Sequence, residues 1–139
     1  MIYDVCALGE ILIDAIAEAD SEVHITGNAG GAPANVLACA TKLGRSCAFI
    51  SKAGGLILSP SKNTAIAMVS LSADGNRSFS FYRSGCADTS LERSELRLDI
   101  IKNSRMFHFG SVSLTEEPSR SSTLYAAQYA REHNVIVSY

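Results

Sequence analysis

Residues 27–54 read GNAGGAPANVLACATKLGRSCAFISKAG, and this run constrains the fold more than any other part of the chain. Gly27, Gly30 and Gly31 lead into Ala32 and Pro33, and a proline at the first helical position has its φ already set for a helix. Behind it Val36, Ala40 and Leu43 recur at helical spacing with Leu37 beside them. Gly44 supplies the left-handed stop, and 47–50 reads as a buried strand. Gly31 and Asn35 therefore fall on the first turn of a helix, where free backbone N–H groups point outward and can hold a polar ligand. The dinucleotide fingerprint G-x-G-x-x-G and the P-loop G-x-x-x-x-G-K-[ST] are both absent from the run.

The flanking sequence has the rhythm of an α/β fold. Residues 5–8, closed by Gly9, form a short apolar run of the kind a buried parallel strand requires. G-E-I-L-I-D follows and sets Asp14 just past the strand's carboxyl end, where open α/β sheets bind ligands. On local grounds Asp14 is either a solvated loop carboxylate or a ligand-binding one, and Glu10 is read as structural. Weak alternation around Ile16, Val23 and Ile25 suggests strand pieces of a small second layer.

From Thr64 the chain reads T-A-I-A-M-V-S-L, then Asp74-Gly75, then R-S-F-S-F-Y-R. Asp-Gly between two β-patterned runs is a strong hairpin signal. Phe79, Phe81 and Arg83 share one face of the second strand, Ser78, Ser80 and Tyr82 the other. Arg83 reads either as a solvated edge charge or as a ligand contact. Residues 92–102 read as one helix and 106–109 as a buried strand in which His108 is a satisfied core histidine. Pro118 opens a helix to His133, Asn134 stops it, and 135–139 begins a fourth parallel strand.

With 139 residues, 47% hydrophobic and 19% charged, the chain suits one globular domain at most. A net charge of −2 and a pI near 5.9 offer no field for nucleic acid, and no apolar run reaches the length of a membrane span. The N-terminus lacks the pattern of a secretion signal, so a cytoplasmic location is expected. Cys6, Cys39, Cys47 and Cys86 have neither zinc nor C-x-x-C spacing and are expected as reduced thiols, mostly buried.

G-G-A-P-A-N-V, followed by L-G and a strand ending at Gly54, together with G-E-x-x-I-D, resembles the N-terminal signature of the PfkB (ribokinase-like) carbohydrate kinases, fructokinases in particular. The resemblance implies an α/β, Rossmann-type, mostly parallel sheet flanked by helices, with a β-hairpin lid at about 64–83. It covers nearly all 139 residues but about the first half of a typical member, so 1–139 is expected to be the N-terminal part of a sugar kinase domain. It makes Asp14 a sugar-hydroxyl ligand, with Gly30, Gly31, Asn35 and Arg83 as further substrate-binding candidates. ATP and Mg are the cofactors implied for the whole family. The N-x-x-E element and the D-T-x-G-A-G-D run that bear metal, base and anion hole in the family are not in this chain; no catalytic or metal-binding residue is assigned, and the chain alone is expected to be inactive. The stretch after Gly54 departs from the family pattern, as an internal deletion or a gene-model error would. The expected partners are a small-molecule sugar and a second copy through the lid; the alternative is a non-catalytic sugar-binding or dimerising module.

Overall fold

A computed structural model describes residues 2–19, 23–53, 61–71 and 76–139. In chain order its elements are β1 (Tyr3–Leu8), β2 (Leu12–Ala19), β3 (Val23–Gly30), α1 (Ala32–Lys42), β4 (Cys47–Ile50), β5 (Ile66–Leu71), β6 (Arg77–Tyr82), α2 (Leu98–Lys102), β7 (Ser104–Phe109), α3 (Ser119–Glu132) and β8 (Ile136–Ser138). They form two four-stranded sheets, ordered β4-β1-β7-β8 and β3-β2-β5-β6.

The first sheet is parallel throughout, the α/β architecture expected. Along β1 and β7 every second residue, Cys6 and Leu8, Phe107 and Phe109, joins one core cluster with Ile50, Ile101, Ala126 and Ala130, which seats α2 and α3 against the sheet. His108, one residue out of phase with Phe107, is half-buried and its Nδ1 lies 3.1 Å from Ser138 Oγ on the neighbouring strand. Asn134 at φ 59 turns the chain out of α3 into β8, so the expected helix stop and fourth parallel strand are both present.

The second sheet mixes directions: β2 pairs antiparallel with β3 and parallel with β5, and β5 pairs antiparallel with β6. The expected hairpin is thus the outer half of a larger sheet. Its turn at Asp74-Gly75 and the junction beyond Gly54 lie outside the described residues.

Several expectations change. Asp14 sits within β2, not in a loop, because the chain re-enters extended structure two residues after Glu10. Gly27 to Gly30, read from sequence only as the lead into the helix, form the end of β3, paired to β2. The helix starting at Ala32 buries Pro33 and Leu37, while Val36 and Leu43 are 41% and 74% exposed. Residues 92–102 divide into a 3-10 turn, Arg93–Glu95, and the five-residue α2. The reason is spacing: Leu91, Leu96 and Ile101 are all buried, and residues five apart cannot share one face of a continuous helix. Glu95 also holds the break open, accepting the Glu92 N–H at 2.8 Å and pairing with Lys52 at 2.7 Å. Of the cysteines, Cys6 and Cys86 are buried, Cys47 is intermediate and Cys39 exposed, all as free thiols.

Candidate functional site

A cavity of about 420 Å³ lies between one face of the second sheet and the start of α1, within the size range of small-molecule sites. Three segments supply most of its lining, and Val69 of β5 and Val112 after β7 complete it. The β1–β2 connection and β2 contribute Glu10, Leu12, Asp14 and Ile16. Gly31, Ala32 and Asn35 come from the start of α1, and Arg77, Phe79 and Phe81 from β6. Alternation explains both strand sets: Leu12, Asp14 and Ile16 are two apart, as are Arg77, Phe79 and Phe81. The Phe79 and Phe81 rings stack with centroids 6.2 Å apart and are 53% and 55% exposed, so an apolar patch shares the sheet face of Asp14, which is in register with Phe81 through Ala67.

Asp14, Gly31 and Asn35, singled out separately in the sequence, all line this cavity. Gly30 lies directly beneath Asp14: a Cβ there would overlap the Asp14 carboxylate. Gly31 adopts φ 119, and a Cβ on it would run into the Glu10 backbone carbonyl. Only glycine allows both the conformation and the approach.

Arg83 is placed elsewhere. Its Nε donates to Asp88 Oδ2 at 2.7 Å, Nη1 to Thr115 Oγ1 at 3.0 Å and Nη2 to the Val112 carbonyl at 3.3 Å. With side chains 11% and 2% exposed, the Arg83–Asp88 pair is a buried clamp joining the end of β6 to the segment after β7, outside the cavity lining. The cation that does line the cavity is Arg77, which the sequence reading passed over; its two-residue phase with Phe79 and Phe81 is a signal that could have found it.

Glu10, read as structural from sequence, is also at the cavity. It is 3% exposed, and its Oε1 accepts the Ala32 N–H at 2.9 Å. The first amide of α1 is therefore taken by the protein itself, and a ligand meets Asp14 and Asn35 side chains where a bare helix end was expected. A carboxylate, a primary amide and close glycine backbone form a set suited to neighbouring hydroxyls: Asp14 accepts, while Asn35 both donates and accepts.

No family model matches the chain. Curated relatives do. The chain is 40% identical over 163 aligned positions to an Arabidopsis thaliana protein described as probable fructokinase-6, chloroplastic, an alignment covering 99% of this chain and 42% of that one. Its fold superposes on the crystal structure of fructokinase from Xylella fastidiosa with a TM-score of 0.86 and 28% identity, over 96% of this chain and 51% of that chain. A Xylella fastidiosa fructokinase structure with bound ATP matches with a TM-score of 0.84 and 27% identity, covering 97% and 50%. By sequence and fold the chain is similar to fructokinases. The chain spans about half the length of the curated relatives it matches.

Proposed function

We propose that the chain forms the sugar-binding side of an ATP-dependent, fructokinase-type sugar kinase that phosphorylates a primary hydroxyl. The observation that carries this reading is the convergence of Asp14, Gly31 and Asn35 on one cavity, in a chain 40% identical to a fructokinase-described relative. Asp14 orients the sugar by accepting hydroxyl hydrogens, each such bond to a charged group contributing about 1.5–3 kcal/mol. Asn35 fixes a neighbouring hydroxyl from the helix side. Phe79 and Phe81 on β6 cover the sugar's apolar face and exclude water, the role of a lid over residues 64–83. Arg83 serves this role by securing the base of β6 through Asp88 and the segment after β7.

ATP with Mg supplies the phosphoryl group in this reading; the ATP-bound Xylella fastidiosa structure supports the nucleotide, and among the described residues no group of three metal-ligating side chains is assembled. No residue of this chain is assigned as the base that takes the hydroxyl proton, so the isolated chain binds sugar without turning it over. The outer face of the second sheet suits a second copy: Ile13, Ile25, Ile66 and Tyr82, in cross-strand phase, are 42%, 62%, 39% and 65% exposed. The free thiols fit a reducing compartment such as the cytoplasm, and no helix among the described residues is long and apolar enough to cross a membrane.

Titration of the ¹⁵N-labelled chain with D-fructose, D-glucose and Mg·ATP tests the reading. Fructose should shift the backbone amides of Asp14, Gly31 and Asn35 and the Asn35 side-chain amide. Shifts at these positions from ATP but from no sugar would overturn it.

A further inference from the structure

Glu10 is a buried acid for which the proposed chemistry has no use. Its Oε2 has no hydrogen-bond partner among the described residues, and it forms no ion pair among those found there. A buried carboxyl oxygen left in this state is costly, and the one bond the side chain makes points to the cause. Oε1 takes the Ala32 N–H at 2.9 Å, at the positive end of an eleven-residue helix.

The same residue holds α1 a second way. Gly31, at φ 119, packs its Cα against the Glu10 backbone carbonyl so closely that no Cβ fits. Two residues on, the Pro33 ring lies against Gly9, where a Cβ would again collide, and 3.2 Å from the Cβ position of Gly110. Asn35 is tied back to this start, its N–H donating to the Gly31 carbonyl at 3.0 Å. The chain of contacts runs from Glu10 through Gly31 and Ala32 to Asn35, and Asp14 stands across the cavity on the strand that Glu10 leads into.

We propose that Glu10 is a positioning residue for the sugar site: by gripping Gly31 and Ala32 it sets where Asn35 stands opposite Asp14. This inference rests on the cavity being a sugar site. Glu10 touches no sugar in it; the effect passes through Asn35 and the Gly31 backbone. What matters is the bond to the Ala32 N–H, so a side chain of equal length that can still accept that hydrogen preserves the site, and one that cannot accept it loosens the site.

The two isosteric variants Glu10→Gln and Glu10→Met separate these cases, since both remove the charge and only glutamine keeps the acceptor. The full 139-residue chain is titrated calorimetrically with D-fructose, and each variant is first shown to melt cooperatively. E10Q should bind within about threefold of the parent chain, and E10M about tenfold or more weaker, the loss expected when the Ala32 N–H is left without its acceptor. A double-mutant cycle gives the readout that general destabilisation would not move. On an Asn35→Ala background E10M should cost less than about threefold more, because Asn35 is the group through which it acts; on an Asp14→Ala background its cost should be undiminished. Should E10M not fold, Glu10→Asp, one methylene too short to reach Ala32, replaces it with the same expectations.

Equal affinities for E10Q and E10M, or a full additive loss in the E10M/N35A chain, would overturn the positioning role while leaving the sugar site intact. A parent chain that binds none of D-fructose, D-glucose or D-ribose removes the sugar-site reading and this inference together. The two failures are thus distinguishable by the parent chain alone.

Discussion

Gly30→Ala is the substitution that most directly separates the proposed site from the fold that carries it. Gly30 ends β3, pairs with Leu12, and is buried. Its φ is not among the positive values, which among the described residues belong to Gly31, Gly44, Gly85 and Asn134, so alanine meets no backbone strain there. The nearest atoms the added Cβ meets are those of the Asp14 carboxylate. That is the far end of a rotatable side chain, and it yields by leaving its rotamer.

The stability terms oppose each other. Displacing Asp14 to a poorer rotamer costs about 0.5–1.5 kcal/mol, while replacing glycine at a compatible position gains about 0.4–1 kcal/mol through the unfolded chain. The net change is within about 1 kcal/mol, a melting shift of a few degrees for a chain of this size. Sugar binding has no such offset: losing the Asp14 interaction forfeits about 1.5–3 kcal/mol, about a 10- to 150-fold loss in affinity. Differential scanning calorimetry and isothermal titration with D-fructose read the two quantities on the same sample. Fructose affinity within threefold of the parent chain would refute the assignment of Asp14 to the sugar. A melting temperature lowered by more than about 10 °C would refute the packing argument. Gly31→Ala is the control of opposite character: there the Cβ meets the Glu10 backbone carbonyl, which cannot rotate away, and φ 119 is itself unfavourable, so about 1–3 kcal/mol of strain should appear as lost stability.

Asp14→Ala and Asn35→Ala should each weaken fructose binding about tenfold or more by stranding sugar hydroxyls, with Mg·ATP affinity in an intact fructokinase carrying the same pair unchanged; a tenfold rise in the ATP Michaelis constant at a fixed sugar constant would move both residues to the nucleotide site. Arg83→Ala leaves Asp88, with a side chain 2% exposed, as an unpaired buried carboxylate and should destabilise the chain by about 3–5 kcal/mol. Adding Asp88→Asn should restore part of that loss in chemical denaturation, and a double variant no more stable than Arg83→Ala would show that the charge is not the cause. Burial pushes the Cys6 thiol up to about 12 from its ordinary 9.0, against a smaller lowering by the Ser104 hydrogen bond. A raised thiol pKa contributes stability below the unfolded value and loses it as pH rises, so stability should fall between about pH 9 and 12, by up to about 1.4 kcal/mol per unit. Cys6→Ala should show a shallower fall over that window, and parallel pH profiles for the two chains would refute the assignment.

The first sheet was legible because its signals are local. The apolar run at β1, the glycine after α1, the strand at 47–50 and the Asn134 stop each announce themselves within a few residues, and the parallel order follows from helices placed between strands. The break within 92–102 was not legible by the same rules. A helical pattern there is satisfied by Leu96 and Ile100, and only the burial of Leu91, Leu96 and Ile101 together, with Lys52 reaching Glu95 from the segment after β4, makes two short pieces preferable to one helix.

The site itself was half legible, and the missing half explains the glycines. Read locally, Gly27, Gly30 and Gly31 signal a turn, since glycine is the residue that turns need. In the folded chain Gly27 and Gly30 lie in a strand, and what they lack is more important than what they permit. Across the ladder from Gly30 comes β2, whose Asp14 carboxylate occupies the space a side chain at 30 would fill. Beside Gly31 comes Glu10, whose carbonyl does the same. Both absences are dictated by residues that precede the glycines by sixteen or more positions, so no window around 27–31 could reveal them. They become visible only when G-E-I-L-I-D is laid antiparallel to G-N-A-G-G, two short motifs that act as one: the first supplies the carboxylates, and the second keeps clear the space in which one of them binds and the other holds the helix.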